Sequence, residues 1–352
     1  MKKLHSTLLI LLILLFSLGL VGAKSICVPG DYSSIQEAIN NANIGDTIIV
    51  RGYFKEQVVV NKPISLIGYN ATVVGKSDDY CIKINSNNVT VEGFKVKGGR
   101  YGIWVDYSRN CIVENNVVLS NHAPPIVGDV ETCGFGIGLT NSNNIKVLNN
   151  TIEDNSAYGL FLSNASNNTI VGNIFNKNRD YHIAAFAGSS YNLIEKNKFY
   201  EALILHGIYL IGNSNHNIIA NNEFYKNNHA GAHIETRYNR ISNNTIVENF
   251  KGISFGRTAF GNVIENNLIE KNYYGIYFAG SSNSILNNTL LNNRYGMLVY
   301  YATNNLISNN TFNNICNAKI RFSKDNKWYS NAWSDYEGED TNNDGIDDTA
   351  YY

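Results

Sequence analysis

Basic residues are in no excess, with 28 Lys and Arg against 29 Asp and Glu. The electrostatic footprint of a nucleic-acid-binding protein is therefore missing. Long apolar runs are also scarce. The one from Leu8 to Leu20 is short of the ~20 residues a bilayer span needs, and no other stretch approaches that length. The five cysteines (Cys27, Cys81, Cys111, Cys133 and Cys316) form no CxxC pair, which removes the common zinc and thioredoxin-like patterns. Proline occurs four times. Apolar spacing of i, i+3, i+4 over ten residues is absent from the repeated part of the chain, so a helical solenoid is excluded.

What is present begins with a leader. Lys2 and Lys3 precede the apolar run and Val21-Gly22-Ala23 follows it, so residues 1–23 read as a secretory signal peptide. An uncleaved copy of it would be the sole membrane attachment. Without it the balance is 26 basic to 29 acidic residues, a net charge near −3. All five cysteines remain after cleavage, and an odd count leaves at least one free or paired between chains. Export allows one or two disulfides; buried small apolar residues are the equal alternative.

The most frequent motif is a pair of asparagines between apolar runs, as in "VIENNLIEKNYYGIYF" from Val263 to Phe278. The second member recurs at Asn116, Asn150, Asn173, Asn197, Asn222, Asn244, Asn267, Asn288 and Asn310, in steps of 34, 23, 24, 25, 22, 23, 21 and 22 residues. Gly68 and Gly93 extend the series upstream. Such a period means a solenoid. Each repeat holds three short alternating runs, here "NVIEN", "NLIEKN" and "GIYF", and alternation over four or five residues marks a half-buried strand. Three strands and three turns per repeat predict an all-β fold, a right-handed parallel β-helix of about eleven coils. Asparagine suits its turns because it tolerates the left-handed conformation, and its amide can bond to the same group one coil away. A glycine column at Gly102, Gly136, Gly159, Gly207, Gly252, Gly275 and Gly296 fixes the register. Eight glycosylation sequons lie at Asn70, Asn88, Asn149, Asn164, Asn167, Asn243, Asn287 and Asn309. Asn149, Asn243, Asn287 and Asn309 adjoin the predicted ladder and are expected to stay bare, since a glycan there would clash with stacked turns.

A solenoid needs caps. Ile35, Ala38, Ile39 and Ala42 follow helical spacing; Ser34 with Glu37 forms a capping box, and Gly45 can close the helix. Residues 24–325 then form the β-helix with this cap, and 326–352 a C-terminal cap in which Trp328, Tyr329, Trp333 and Tyr336 cover the last coil. The 34-residue step contains an insertion, Asn121 to Cys133, with Pro124 and Pro125. It is either a functional loop or a neutral insertion.

The opening "ICVPGDYSSIQEAINNANIGDTIIV" resembles the start of many secreted β-helix proteins, pectate-lyase-like and epimerase-like ones among them. The "NN…YGI" coils and the tail "NAWSDYEGEDTNNDGIDDTAYY" are similar to those of the NosD-like (CASH-domain) family. The resemblance implies the fold for nearly the whole mature chain. For activity it implies a range: accessory proteins of metal-site assembly, surface proteins and sugar-modifying enzymes. The name-giving members assist a copper site, but Met297 is the one methionine after the leader, and no close Cys/His cluster supplies the ligands copper prefers.

In "GIYF" the tyrosine points out, so the outward column runs Trp104, Gly138, Phe161, Tyr209, His233, Ser254, Tyr277, Leu298. Trp104, Phe161, Tyr209 and Tyr277 are candidate sugar-binding faces, or a self-stacking ladder. Five histidines (His182, His206, His216, His229 and His233) fall within 52 residues. His182 and His206 are expected to stack in adjacent coils, either with a role or simply as stacked turn residues. Glu235 shares the parity of His233, and Arg237 follows. His206, His233, Glu235 and Arg237 are the candidate catalytic set for a lyase or epimerase, which needs a base and charge neutralisation at a sugar carboxylate. No carboxylate pair meets the ~5–9.5 Å spacing of a hydrolase convincingly. In the tail, Asp340, Asn342, Asp344 and Asp348 match oxygen positions of a calcium loop lacking its final glutamate, so calcium is the candidate cofactor. The expectation is a secreted or cell-surface protein whose partner is a polysaccharide or envelope glycan, as binder or envelope component. Alternatives are a polysaccharide lyase or epimerase, and metal-site assembly.

Overall fold

The computed structural model describes residues 22–123 and 134–338. Its strands all pair in parallel with their equivalents one coil away, and among the described residues a single 7-residue helix follows the first strand. The right arithmetic is about 13 turns, slightly more than the asparagine count indicates. The additional coils lie at the ends, where strands such as Ser25–Val28 and Lys327–Tyr329 join the stack without the motif.

One coil illustrates the whole. Val263–Glu265, Leu268–Glu270 and Tyr274–Ser281 form its three sides. The two short strands meet at a first corner, the second short strand meets the long strand at a second, and the long strand returns through a third. Twelve long strands stack into one face. Ile264, Ile269 and Ile276 are fully buried, each from a different side, so the core is a column of branched apolar side chains running along the axis.

The doubled asparagine has two separate jobs. The first member takes the left-handed turn and is exposed: φ is 55° at Asn266 and 57° at Asn243. The second turns inward. Asn267 Nδ2 donates to Asn288 Oδ1 at 2.9 Å and to the Ile241 carbonyl at 3.0 Å. Its Oδ1 accepts from the backbone N–H and Nδ2 of Asn244, both at 2.9 Å. This ladder runs unbroken from Asn116 to Asn331. Gly93, with φ of 77°, falls level with Asn115, the turn residue, because Glu92 pairs with Glu114. Phe94 therefore occupies the ladder position, one residue away from the glycine alignment expected.

Two further ladders fill the other corners, built mostly on single asparagines: Asn121 through Asn314 at the second, and Asn168 through Asn326 at the third. The second is broken by Ala202. There Asn178 Nδ2 lies 3.0 Å from His182 Nδ1 instead. His182 stands in the glycine column, where a Cβ on Gly159 would meet the His182 carbonyl at 2.7 Å and Asn178 Nδ2 at 2.8 Å. The glycines thus serve close approach of coil to corner, and the histidine fits only where the neighbouring ladder amide is missing.

The N-terminal helix, α1, spans Ile35–Asn41 and buries Ile35, Ala38 and Ile39. Ser34 accepts from the Glu37 N–H at 3.1 Å. The Glu56 carboxylate also takes the N–H groups of Ile35 and Gln36, satisfying donors a helix start leaves free. Ala42, not Gly45, is the C-cap; Gly45 instead bonds to the Pro63 carbonyl in the next turn. At the far end Trp333 stacks on Phe312 with centroids 4.3 Å apart, while Tyr329 is exposed. The four described cysteines are free thiols, with Cys81 and Cys111 buried. Burial pushes the Cys81 thiol up to about 12.

Candidate functional site

The long-strand face carries two outward columns. Trp104, Gly138, Phe161, Ala184, Tyr209, His233, Ser254, Tyr277 and Leu298 pair in succession, as the alternation predicts, with Ala184 in register. Beside it runs Tyr101, Phe135, Tyr158, Tyr181, His206, Ala230, Lys251, Tyr274 and Tyr295. Small residues in one column are covered by rings from the other: a Cβ on Gly138 would meet the Tyr101 ring at 3.0 Å.

Most of the rings face one another. Tyr101 stacks on Trp104 at 5.0 Å, Phe135 on Phe161 at 5.2 Å and Tyr181 on Tyr209 at 5.1 Å. Trp104 is further fixed by Lys83 Nζ, 3.8 Å from its ring centroid, and by donation from its Nε1 to Thr140 Oγ1 at 2.8 Å. Phe161 is flanked by Phe135, Tyr158 and Phe186. The self-stacking alternative for this column is thus what the ring contacts of Trp104 and Phe161 show.

The pattern changes at the middle of the face. His206, Tyr209, His229 and His233 cluster: His206 stacks on His233 at 4.9 Å, lies 4.8 Å from His229, and Tyr209 is 5.4 Å from His233. His233 Nε2 and Glu235 Oε1 are 3.0 Å apart, with side-chain exposures of 15% and 34%. His233 Nδ1 is buried without a hydrogen-bond partner. Lys251 adds a cation and lies over the Tyr277 ring at 4.3 Å. The exposed side chains of Leu203, Ile204 and Phe250 form an apolar rim at the second corner. A shallow groove lined by His122, Lys177, Arg179 and Leu203 opens at the same corner.

Burial dominates the electrostatics. It lowers the His206 pKa to about 2, helped by His233, His229 and Lys251, and that of His229 to about 4. It also lowers His233, against the pull of Glu235, and Lys251. Tyr209 is raised by burial and by Glu235, and Tyr181 is raised for the same main cause. All three imidazoles are thus neutral near pH 7. Glu235 accepting from Nε2 leaves His233 Nδ1 with a free lone pair, a neutral base beside a phenol and an ammonium group.

Two expectations about this cluster need revision. His206 pairs with Tyr181, not His182, because the turn Leu203–Leu205 is one residue longer than its counterpart; His182 is a core residue with pKa lowered to about 3 by burial. Arg237 sits exposed on the third corner, its N–H bonded to Asn215, and among the described residues its guanidinium makes no contact with His233 or Glu235. Lys251 supplies the positive charge. Its signal in the sequence is lysine before the column glycine in "FKGISF", where most coils have an aromatic. The calcium candidates Asp340, Asn342, Asp344 and Asp348 lie outside the described residues, as does most of the 121–133 insertion.

The family model described as "Periplasmic copper-binding protein (NosD)" matches residues 39–205 and 203–338. The chain belongs to the NosD family. A cell surface glycoprotein of Methanothermus fervidus is 34% identical to this NosD-family chain over 121 residues, 32% of the chain and 20% of the relative. The chain therefore matches only a fifth of that protein's length. Among solved structures, a variant of the periplasmic alginate epimerase AlgG superposes with TM-score 0.66 at 12% identity, covering 88% of this chain and 85% of the other. The A-module of the Azotobacter vinelandii mannuronan C-5 epimerase AlgE6 gives 0.68 at 13%, covering 85% and 93%. The catalytic domain of a GH87 alpha-1,3-glucanase in complex with tetrasaccharides gives 0.66 at 15%, covering 88% and 69%. At such identities the likeness is one of fold.

Among the described residues no three of His, Cys, Asp or Glu converge as metal ligands. Met297 is fully buried in the core, and Cys81 and Cys111 are buried too. These residues do not fit a copper site.

Proposed function

We propose that this chain is an extracellular or cell-surface protein that binds a glycan on its long-strand face, at Tyr209, His233, Glu235, Lys251 and Tyr277. One observation carries the reading: polar and titratable side chains interrupt the aromatic columns at a single place, next to an apolar rim. Apolar edges and rings beside fixed hydrogen-bonding groups are what a sugar needs. The cell-surface relative and the carbohydrate-active structural neighbours support the location and the class of ligand. The test is a panel of neutral and acidic polysaccharides offered to the purified mature chain. Tyr209→Ala, which leaves no core cavity, is expected to weaken binding. Losing about 60 Å² of ring contact at about 25 cal/mol per Å² gives about 1.5 kcal/mol, roughly tenfold in Kd. Wild-type affinity in both Tyr209→Ala and His233→Ala would refute the reading.

A second reading is a polysaccharide lyase or epimerase, favoured by the His233–Glu235 contact beside Lys251. A base there could take the proton beside a uronate carboxylate, with Lys251 holding the carboxylate. New unsaturated chain ends, or solvent deuterium entering the sugar ring, would distinguish it from a binder. In an enzyme His233→Ala lowers turnover more than affinity.

A further inference from the structure

We propose that the exported chain carries N-linked glycans along the corner opposite its long-strand face. Asn70, Asn149, Asn243, Asn287 and Asn309 all lie at the first corner, between the two short strands. Each has positive φ, from 52° at Asn149 to 57° at Asn243 and Asn309, and each is exposed. In the four Asn-Asn-Thr sequons of this corner the middle residue is the inward ladder asparagine: Asn150, Asn244, Asn288 and Asn310. Alternation then sends both the acceptor asparagine and the threonine outward. The sequon is displayed by the same geometry that buries its centre, so a glycan would not meet the ladder. This reverses the expectation that these four stay bare.

The side-chain amides of Asn149, Asn243, Asn287 and Asn309 make no hydrogen bond among the described residues. Of the first-corner turn asparagines without a sequon, Asn115 and Asn221 donate to Glu92 and Glu195 at 3.2 and 3.0 Å, whereas Asn266 is exposed like the four sequon asparagines. Nor does the fold require threonine after the ladder residue, since Val117, Lys198, Glu223 and Leu268 occupy that place in other coils.

The distribution is uneven in a useful way. The three remaining sequons, Asn88, Asn164 and Asn167, lie at the third corner. The second corner has none. Its left-handed residues run Asp154, Lys177, Glu201, Lys226, Glu248, Lys271, alternating in charge, with Lys177–Glu201 and Lys226–Glu248 ion pairs at 3.7 Å. Glycans would thus shield the back of the helix and leave open the corner bordering the histidine cluster.

In the transfer step the acceptor amide nitrogen bonds to the anomeric carbon of a lipid-linked glycosyl phosphate or diphosphate. The carbon–oxygen bond to phosphate breaks, the lipid phosphate leaves with the electron pair, and one amide proton is lost to the transferase; nothing is oxidised or reduced. Asn287 and Asn309 stand one coil, about 4.8 Å, apart, and compete for space. Asn149 and Asn243 have no sequon at the first corner of either adjacent coil and are the sites of highest occupancy.

The test is mass spectrometry of peptides from the full chain, purified from its own cells under denaturing conditions so that bound saccharide is removed. Covalent glycan on Asn149 and Asn243 is expected, with Thr245→Val removing it from Asn243 alone and leaving the melting temperature unchanged after enzymatic deglycosylation. Unmodified peptides at all four Asn-Asn-Thr sites of the first corner overturn the proposal, wherever the chain resides. The outcome is independent of whether the opposite face binds a ligand.

Discussion

Replacing Asn267 by alanine removes both donors and the acceptor of one ladder rung. The Asn244 backbone N–H loses its bond to Oδ1, and the Ile241 carbonyl loses its bond to Nδ2. Asn244 Nδ2 keeps the Ile219 carbonyl, and Asn288 Oδ1 keeps the Asn267 N–H. Two buried backbone groups are thus left without their side-chain partner, each costing about 1–3 kcal/mol, for a loss of about 2–6 kcal/mol. The adjacent Asn266 has a left-handed backbone and an exposed side chain. Asn266→Ala should cost only the local strain, about 1–2 kcal/mol, and Asn266→Gly close to nothing. Urea denaturation of the three variants tests the ordering, with hydrogen exchange at the Asn244 amide as a local readout. Equal losses for Asn266→Ala and Asn267→Ala, or an unchanged Asn244 amide in the latter, would refute the division of labour within the pair.

His182→Gly should destabilise by leaving Asn178 Nδ2 without its Nδ1 partner, and adding Ala202→Asn should restore stability by completing the ladder; a double mutant worse than the single, by thermal melting, would refute the exchange. Gly252→Ala places a Cβ against the Gly275 carbonyl, so overpacking should cost about 1–3 kcal/mol, measured by the same melting curves. The folded pKa values of His182, His206 and His229 lie at about 3, 2 and 4, below the unfolded value of about 6.5. Their contribution is therefore full above pH 6.5 and is lost as pH falls, since the unfolded chain takes up the protons; the urea midpoint should drop from pH 7 to pH 5, and His206→Gln should reduce the drop. Iodoacetamide at neutral pH should leave Cys81 and Cys111 unlabelled in the folded chain and modify them in denaturant, read peptide by peptide.

The architecture was legible because one ladder is spelled with a doubled letter. The pair Asn266-Asn267 announces a turn and a rung together, and its spacing counts most of the coils. The other two ladders use mostly single asparagines such as Asn272 and Asn283, whose turn residues are Lys271 and Ser282; with the doubling only occasional they do not stand out. The outward column from Trp104 to Leu298 followed from strand alternation, which no insertion disturbs. The histidines were harder. Counting from the ladder put His182 beside His206, but one additional residue in Leu203–Leu205 slips the register and separates a core histidine from a surface one. Arg237 was drawn into the cluster by proximity in sequence, although Thr236 turns inward and carries it round the third corner. Lys251 was overlooked because its neighbours in space come from other coils.

The most direct measurement of the central claim follows the ring signals of the histidines by NMR as oligosaccharides are added. If the long-strand face is the binding site, His206, His229 and His233 shift with a saturable dependence on one class of glycan. His216, stacked between Tyr191 and Tyr238 at the third corner, and the core residue His182 stay in place. Shifts confined to His216, or none with any glycan at saturating concentration, would contradict the account.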